Sequence, residues 1–178
     1  MISTKTELKF FSVPEWEKEQ DYLSRMHKKG WKFTQLNFCF YHFEQCEPED
    51  VVYQLDYNPD GISHKSEYVQ MFSDCGWEYL QDFAGYSYFR KPACEMNGSE
   101  EIFCDDESRL EMMKRVFRWK ILPLVLLFFG TIIPSIFGNY IANPIIKGSF
   151  LILFVIYVVL FTQFGYKFFK YKNSTNKK

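Results

Sequence analysis

Two uncharged apolar stretches near the C-terminal end constrain this chain most. Ile121–Ala142 carries no charged residue, and neither does Gly148–Tyr166. A helix that crosses a bilayer needs about 20 mostly apolar residues, and each stretch has the composition for one. Asn143-Pro144 stands between them. Proline removes a backbone donor and disfavours helix at the residue before it. The expectation is a transmembrane hairpin with a short turn: a juxtamembrane helix over 108–120, a first span over 121–142, a second over 145–169, and a basic tail over 170–178.

Charge is divided sharply along the 178 residues. All 22 acids lie at or before Glu111, together with eleven bases, so Met1–Glu111 carries −11. Met112 onward carries ten bases and no acid. Lys114, Arg115, Arg118 and Lys120 precede the first span, Lys167, Lys170, Lys172, Lys177 and Lys178 follow the second, and Lys147 is the only charge at the turn between them. Basic residues accumulate on the cytoplasmic side of membrane helices. This predicts a two-pass protein of the cytoplasmic (inner) membrane with both termini in the cytosol. The acidic part then faces the cytosol and stands off anionic lipid. A nucleic-acid partner is not expected, because that affinity depends on neutralising phosphates with Lys and Arg. Met1-Ile2-Ser3-Thr4-Lys5 has no apolar core of the signal-peptide kind. Five cysteines, an odd number, are expected to be reduced thiols.

The acidic part repeats itself. A shift of 46 residues lays Gly30-Trp31 on Gly76-Trp77, Phe33 on Tyr79, Gln35 on Gln81, Phe40 on Tyr86 and Phe43 on Phe89. Each half reads strand, helix, strand. Thr4, Thr6, Leu8 and Phe10 alternate with Lys5, Glu7, Lys9 and Phe11, the period of a half-buried strand. Pro14-Glu15-Trp16 opens a helix whose Trp16, Leu23, Met26 and Gly30 recur at helical spacing. A strand region runs from Trp31 to about Gln45 with a turn near Asn37. The second half follows with Val51–Tyr57, a turn at Asn58-Pro59-Asp60-Gly61, a helix with Ile62, Val69 and Phe72 inward, and a strand region over Trp77–Lys91 turning at Ala84-Gly85. Strand–helix–strand taken twice predicts an α+β, ferredoxin-like domain over 1–91 with one antiparallel sheet. An acidic linker over 92–107 follows, and Ser108-x-x-Glu111 is a capping box that starts the next helix.

Chemistry-bearing patterns are sparse. No His-Glu-x-x-His, Cys-x-x-Cys, phosphate-binding glycine loop or nucleophile elbow occurs. His42, Glu44 and Cys46 share a strand face, which is also what an exposed strand shows. Asp56 is expected to face solvent or cap the next turn, and Arg90-Lys91 to charge a strand edge. An enzyme would have to use residues such as His42, Asp56 or Cys75. The reading is non-catalytic, with no cofactor and no metal. The aromatic residues are the better lead: Trp31, Phe40, Trp77, Tyr79, Tyr86 and Tyr88 lie on the strands and are the candidate surface for a partner or ligand. In the spans, Gly130, Gly138 and Gly148 allow close helix packing, and Thr131 and Ser135 can bond carbonyls freed by Pro123 and Pro134.

Pro14-Glu15-Trp16-Glu17, Gly30-Trp31, Tyr53-x-Leu55-Asp56-Tyr57, Gly76-Trp77 and Tyr88-Phe89-Arg90-Lys91, in this order and spacing, resemble the bacterial domain-of-unknown-function family 2812 over about Lys5–Lys91. Members of that family often carry transmembrane helices after the domain and are often encoded beside PadR-like transcriptional regulators. The resemblance thus implies a membrane-associated regulatory role linked to such a regulator, and it brings no catalytic residues. Two functions are weighed: an anchored adaptor whose acidic cytosolic domain binds a partner protein or itself, and a sensor of a small cationic or amphipathic ligand on an aromatic sheet face.

Overall fold

The computed structural model describes residues 3–57, 64–96, 106–138 and 143–175. The chain forms two compact units, Met1–Cys104 and Asp105–Lys178.

The first unit contains β1 (Thr4–Leu8), α1 (Trp16–Lys28), β2 (Trp31–Asn37), β3 (Phe40–Gln45), β4 (Val51–Tyr57), α2 (Lys65–Asp74), β5 (Glu78–Phe83) and β6 (Tyr86–Pro92). A 3-10 turn over Val13–Glu15 leads into α1. Each half is therefore βαββ, and each closes its own three-stranded antiparallel sheet, ordered β1-β3-β2 and β4-β6-β5. This replaces the single ferredoxin-like sheet expected from the sequence. The cause is local. Turns at Phe38-Cys39 and Ala84-Gly85 fold each long strand region into a hairpin, and the returning strand fills the centre of its own sheet.

The 46-residue repeat is carried by the backbone. Gly30 and Gly76 end the two helices with φ of +82° and +79°, the left-handed geometry glycine adopts without a Cβ clash. The register shifts between Phe33 and Gln35, and again between Tyr79 and Gln81. Phe38 and Ala84 both take positive φ, 59° and 50°.

The core lies where α1 packs against β4 and β2. Leu23, Phe33, Phe43, Tyr53, Leu55, Tyr88 and Phe89 are essentially inaccessible to solvent. The inward face of α1 supplies Trp16, Tyr22, Leu23 and Met26. α2 covers its sheet more thinly: no residue of it is fully buried, and Tyr68 and Phe72 meet Phe89 at 5.9 and 4.5 Å between ring centres. Ile62 lies outside the described residues.

The second unit opens with α3 (Asp106–Val116), two residues before Ser108. Ser108 therefore lies inside the helix and does not precede it. The helix continues through a π-turn at Phe117–Ile121, α4 (Leu122–Leu127), a second π-turn at Phe128–Ile132 and α5 (Ile133–Phe137). Both π-turns stop two residues short of a proline, Pro123 and Pro134. A proline lacks the N–H that the carbonyl four residues earlier would accept, and its ring crowds that carbonyl. The Thr131 and Ser135 hydroxyls donate to the carbonyls of Leu127 and Thr131, both at 2.6 Å.

Asn143 Oδ1 accepts the Ile145 N–H at 2.9 Å, and α6 (Pro144–Thr175) begins there with Pro144 in its first turn. It runs as one helix through Thr175, so the part of the expected tail up to that residue is helical. α6 returns antiparallel to the first helix: Arg109 meets Tyr171, Phe117 meets Phe164 and Phe128 meets Phe154. The inner stripe of α6 is mostly aromatic. Phe150, Phe154, Tyr157, Phe161, Phe164, Phe168 and Tyr171 alternate steps of four and three residues, the spacing of a helix–helix seam. A Cβ at Gly130 or Gly148 would meet nothing within 4 Å, so neither glycine brings the two helices of this hairpin together. Two helices, Arg109–Phe137 and Pro144–Asn173, are long and apolar enough to cross a membrane.

Candidate partner-binding surface

β1 alternates without a code for which face is inward, and the structure settles it. Thr4, Thr6 and Leu8 point outward, while Lys5 and Glu7 are partly covered. The Tyr22 hydroxyl on α1 donates to Glu7 Oε2 at 2.6 Å, and Lys5 pairs with Oε1 at 2.6 Å. Bonds from Lys5 and Tyr22 hold the Glu7 carboxyl below its ordinary pKa. β1 is thereby tied to α1, and its register on β3 fixes Leu8 opposite Phe40 and Thr6 opposite His42. Thr6 Oγ1 lies 3.0 Å from His42 Nδ1. The outer face of this sheet is polar at one end and apolar at the other.

The apolar end is the tip of the β2–β3 hairpin. Phe38 is 80% exposed, Phe10 78%, Leu8 68% and Phe40 47%. The Lys9 N–H donates to the Cys39 carbonyl at 3.0 Å, which holds the outgoing chain beside the turn. Phe11, the next residue along from Phe10, turns inward onto Tyr22 and Tyr41 at 5.7 and 6.0 Å. Phe38 is a bulky residue in the left-handed region, a conformation that costs about 1 kcal/mol or more. It carries that strain and buries almost none of its ring.

The equivalent tip in the other half of the repeat presents no large exposed apolar side chain. Phe38 and Phe40 correspond to Ala84 and Tyr86. Ala84 is exposed but small, and Tyr86 is buried with its hydroxyl bonded to the Val13 carbonyl at 3.1 Å. Gly85 sits against the Tyr57 ring so closely that a Cβ there would lie 2.7 Å from it.

Of the six residues singled out from sequence, Phe40 belongs to this exposed tip. Trp31 is half-buried under Lys5 Nζ, 5.4 Å from its ring centre. Tyr79 is half-buried, with Lys65 Nζ over its ring at 4.8 Å and Phe89 at 5.7 Å. Trp77, Tyr86 and Tyr88 are in the core and form no open platform. Leu8, Phe10 and Phe38 complete the surface instead.

Behind it, polar groups lock the two halves together. Glu19 Oε1 on α1 accepts from the Tyr41 hydroxyl of the first sheet and the Tyr88 hydroxyl of the second, each at 2.7 Å. Burial and the neighbouring carboxylate push both phenols far above their usual range. His27 Nδ1 is 2.8 Å from the Tyr53 hydroxyl, which also accepts the Phe33 N–H at 3.3 Å.

The charged residues that the sequence placed at the surface are used inside. Asp56 is buried and accepts from the Tyr68 hydroxyl at 2.7 Å. Arg90 and Lys91 lie on the central strand β6, not at an edge. Arg90 Nε donates to Glu78 Oε2 at 2.6 Å, and Lys91 Nζ donates to the Cys75 carbonyl at 2.9 Å, closing the end of α2. His42, Asp56 and Cys75 thus occupy three separate environments. Among the described residues, no three of His, Cys, Asp and Glu gather as metal ligands.

Two βαββ repeats with a buried polar lock, followed by a hairpin of two long apolar helices, define an α+β protein of two units. Residues 15–125 match the family described as "Protein of unknown function (DUF2812)", and the chain belongs to that family. The match begins after β1, ten residues later than the resemblance expected, and runs through α3 into α4. No curated protein and no solved structure matches the chain.

Proposed function

We propose that this protein is a membrane-anchored, non-catalytic adaptor whose acidic cytosolic unit docks a partner protein on the tip formed by Leu8, Phe10, Phe38 and Phe40. The observation that carries this is the exposure of those four side chains, against the burial of Tyr86, the counterpart of Phe40 in the other repeat. Exposed apolar clusters rimmed by polar residues mark interaction surfaces. The polar rim here is Thr4, Thr6, His42 and Glu44.

The anchor is the helix pair, which lies in the cytoplasmic membrane with both flanks cytosolic. Its length, its uncharged cores and the nine bases that flank it, against one at the turn, support this. A partner with an apolar patch and a basic rim suits a unit whose 18 acids and 10 bases leave it at −8. A regulator of the PadR-like kind is the partner class that the family resemblance suggests.

The test compares the full-length protein with a variant carrying L8S, F10S, F38S and F40S, both extracted from membranes. A partner that co-purifies with the first and is absent from the second, with equal thermal stability of the two, supports the reading. Identical co-purifying proteins on both, from equally folded samples, would remove it.

A second reading rests on the same tip. Exposed Phe38 and Phe40 rings in an acidic unit also suit an amphipathic cation. Such a ligand would raise the apparent stability of the wild type and leave the four-serine variant unchanged.

A further inference from the structure

The second unit contains a cleft of about 590 Å³ between the two long helices. Its charged side is Lys114 and Arg118, four residues apart and on one face of the first helix. Phe117 and Leu122 form the wall on the same helix, and Phe164 and Phe168 form the wall on α6. Phe164 is buried at the floor, stacked on Phe117 at 6.0 Å and on Phe168 at 6.4 Å. Gly165 keeps the α6 side open; a Cβ there would meet nothing within 4 Å. Both cations are exposed, and neither makes an ion pair among the described residues.

We propose that this cleft binds one anionic phospholipid, its phosphate held by Lys114 and Arg118 and its acyl chains lying along Leu122 and the α6 aromatic rings. The proposal rests on the membrane reading given above. A guanidinium and an ammonium on adjacent turns are the donors a phosphodiester needs, the first as a two-pronged fork and the second as a point charge. Depth fits the same ligand. Arg118 precedes the uncharged stretch at Ile121 by three residues, about 4.5 Å of helix rise. That is the level of lipid phosphates when the stretch fills the hydrocarbon core. Trp119 and Tyr166, 53% and 73% exposed, are the aromatic residues expected at that boundary. Both cations sit at the headgroup level beside Phe164 and Phe168, Leu122 continues the wall one turn deeper, and basic pockets between membrane helices select anionic headgroups.

The experiment uses the full-length protein in nanodiscs of phosphatidylcholine doped with phosphatidylglycerol, with retained lipid read by native mass spectrometry. The wild type is expected to keep one phosphatidylglycerol, enriched about tenfold over phosphatidylcholine, and inorganic phosphate should not displace it. Lys114→Gln with Arg118→Gln should lose that enrichment. Gly165→Leu, which fills the cleft without changing charge, should lose it too. Lys170→Gln with Lys172→Gln, equal in charge removed, should retain it. Equal losses from both charge pairs together with no effect of Gly165→Leu would show diffuse attraction to the bilayer surface and overturn the site. Displacement by inorganic phosphate would overturn the lipid as ligand. Membrane integration is read separately by resistance to alkaline extraction. An integrated protein without phosphatidylglycerol enrichment sinks only this inference, whereas an extractable protein sinks the anchor as well.

Discussion

Gln81 acts as a one-residue strand for Leu36. Its Oε1 accepts the Leu36 N–H at 3.0 Å and its Nε2 donates to the Leu36 carbonyl at 3.4 Å. Leu36 is on β2 and Gln81 on β5, neighbouring strands of two sheets that share no backbone ladder. Gln81 directly follows the β5 register shift, so the irregular strand places the amide that joins the halves. Replacing Gln81 with Leu keeps the volume and leaves both backbone groups without that partner. A loss of about 1–2 kcal/mol is expected, read as a lower unfolding midpoint of the full-length protein; an unchanged midpoint would show the bridge to be idle.

Three glycines with left-handed backbone should rank by what surrounds them. At Gly85 a Cβ would lie 2.7 Å from the Tyr57 ring; at Gly30 it would lie 3.0 Å from the Cys46 carbonyl; at Gly76 it would meet the end of the unbranched Lys91 side chain at 3.3 Å. All three alanine variants carry conformational strain of about 1 kcal/mol. Gly85→Ala adds a clash with a packed ring and should be the most destabilised, and Gly76→Ala the least. The order of their thermal midpoints checks this.

Acid should act on the first unit in two windows. Burial, with Arg90 nearby, lowers the His27 pKa from its ordinary 6.5. The neutral ring therefore contributes stability that is whole above pH 6.5 and is lost as pH falls through the lowered value. Bonds from Lys18 and Ser12 hold Glu15 at about 2, against an ordinary 4.5. Its contribution is present above 4.5 and lost between there and about 2, and solvent screening limits it to about 1 kcal/mol. His27→Gln should flatten the upper window of a stability–pH profile and leave the lower one. Glu15→Gln should make the lower window shallower, Glu7 still contributing to it, and leave the upper one.

The helix pair should depend on Phe128. Its ring contacts Phe154, Tyr157 and Phe161 at 5.4, 5.6 and 5.6 Å, and it is buried inside a π-turn. Phe128→Ala should weaken the hairpin by about 3 kcal/mol, measured as increased protease cutting of the detergent-solubilised second unit. Phe129→Ala, one residue on and 65% exposed, should have little effect.

How much of this was legible in the sequence follows from which residues speak for themselves. Gly30-Trp31 and Gly76-Trp77 announced the repeat and both helix ends, because left-handed backbone leaves few choices of residue. The hairpin turns at Phe38 and Ala84 were readable as breaks, but not that each returning strand would enter its own sheet; strand order depends on long-range pairing. Exposure was the least legible. Tyr86 and Phe40 are equivalent aromatic residues on equivalent strands, yet the Val13 carbonyl covers one and solvent meets the other. Arg90 and Asp56 read as surface charge because their partners, Glu78 and Tyr68, are 12 residues away in each case.

The most direct test of the docking tip is site-specific photo-crosslinking from position 40. A photoreactive phenylalanine analogue replaces Phe40 in the full-length protein in living cells, and adducts are resolved by mass. The account predicts one discrete protein adduct that disappears when Phe38 and Leu8 are changed to serine. Adducts to lipid alone, or a protein adduct indifferent to those changes, would contradict it.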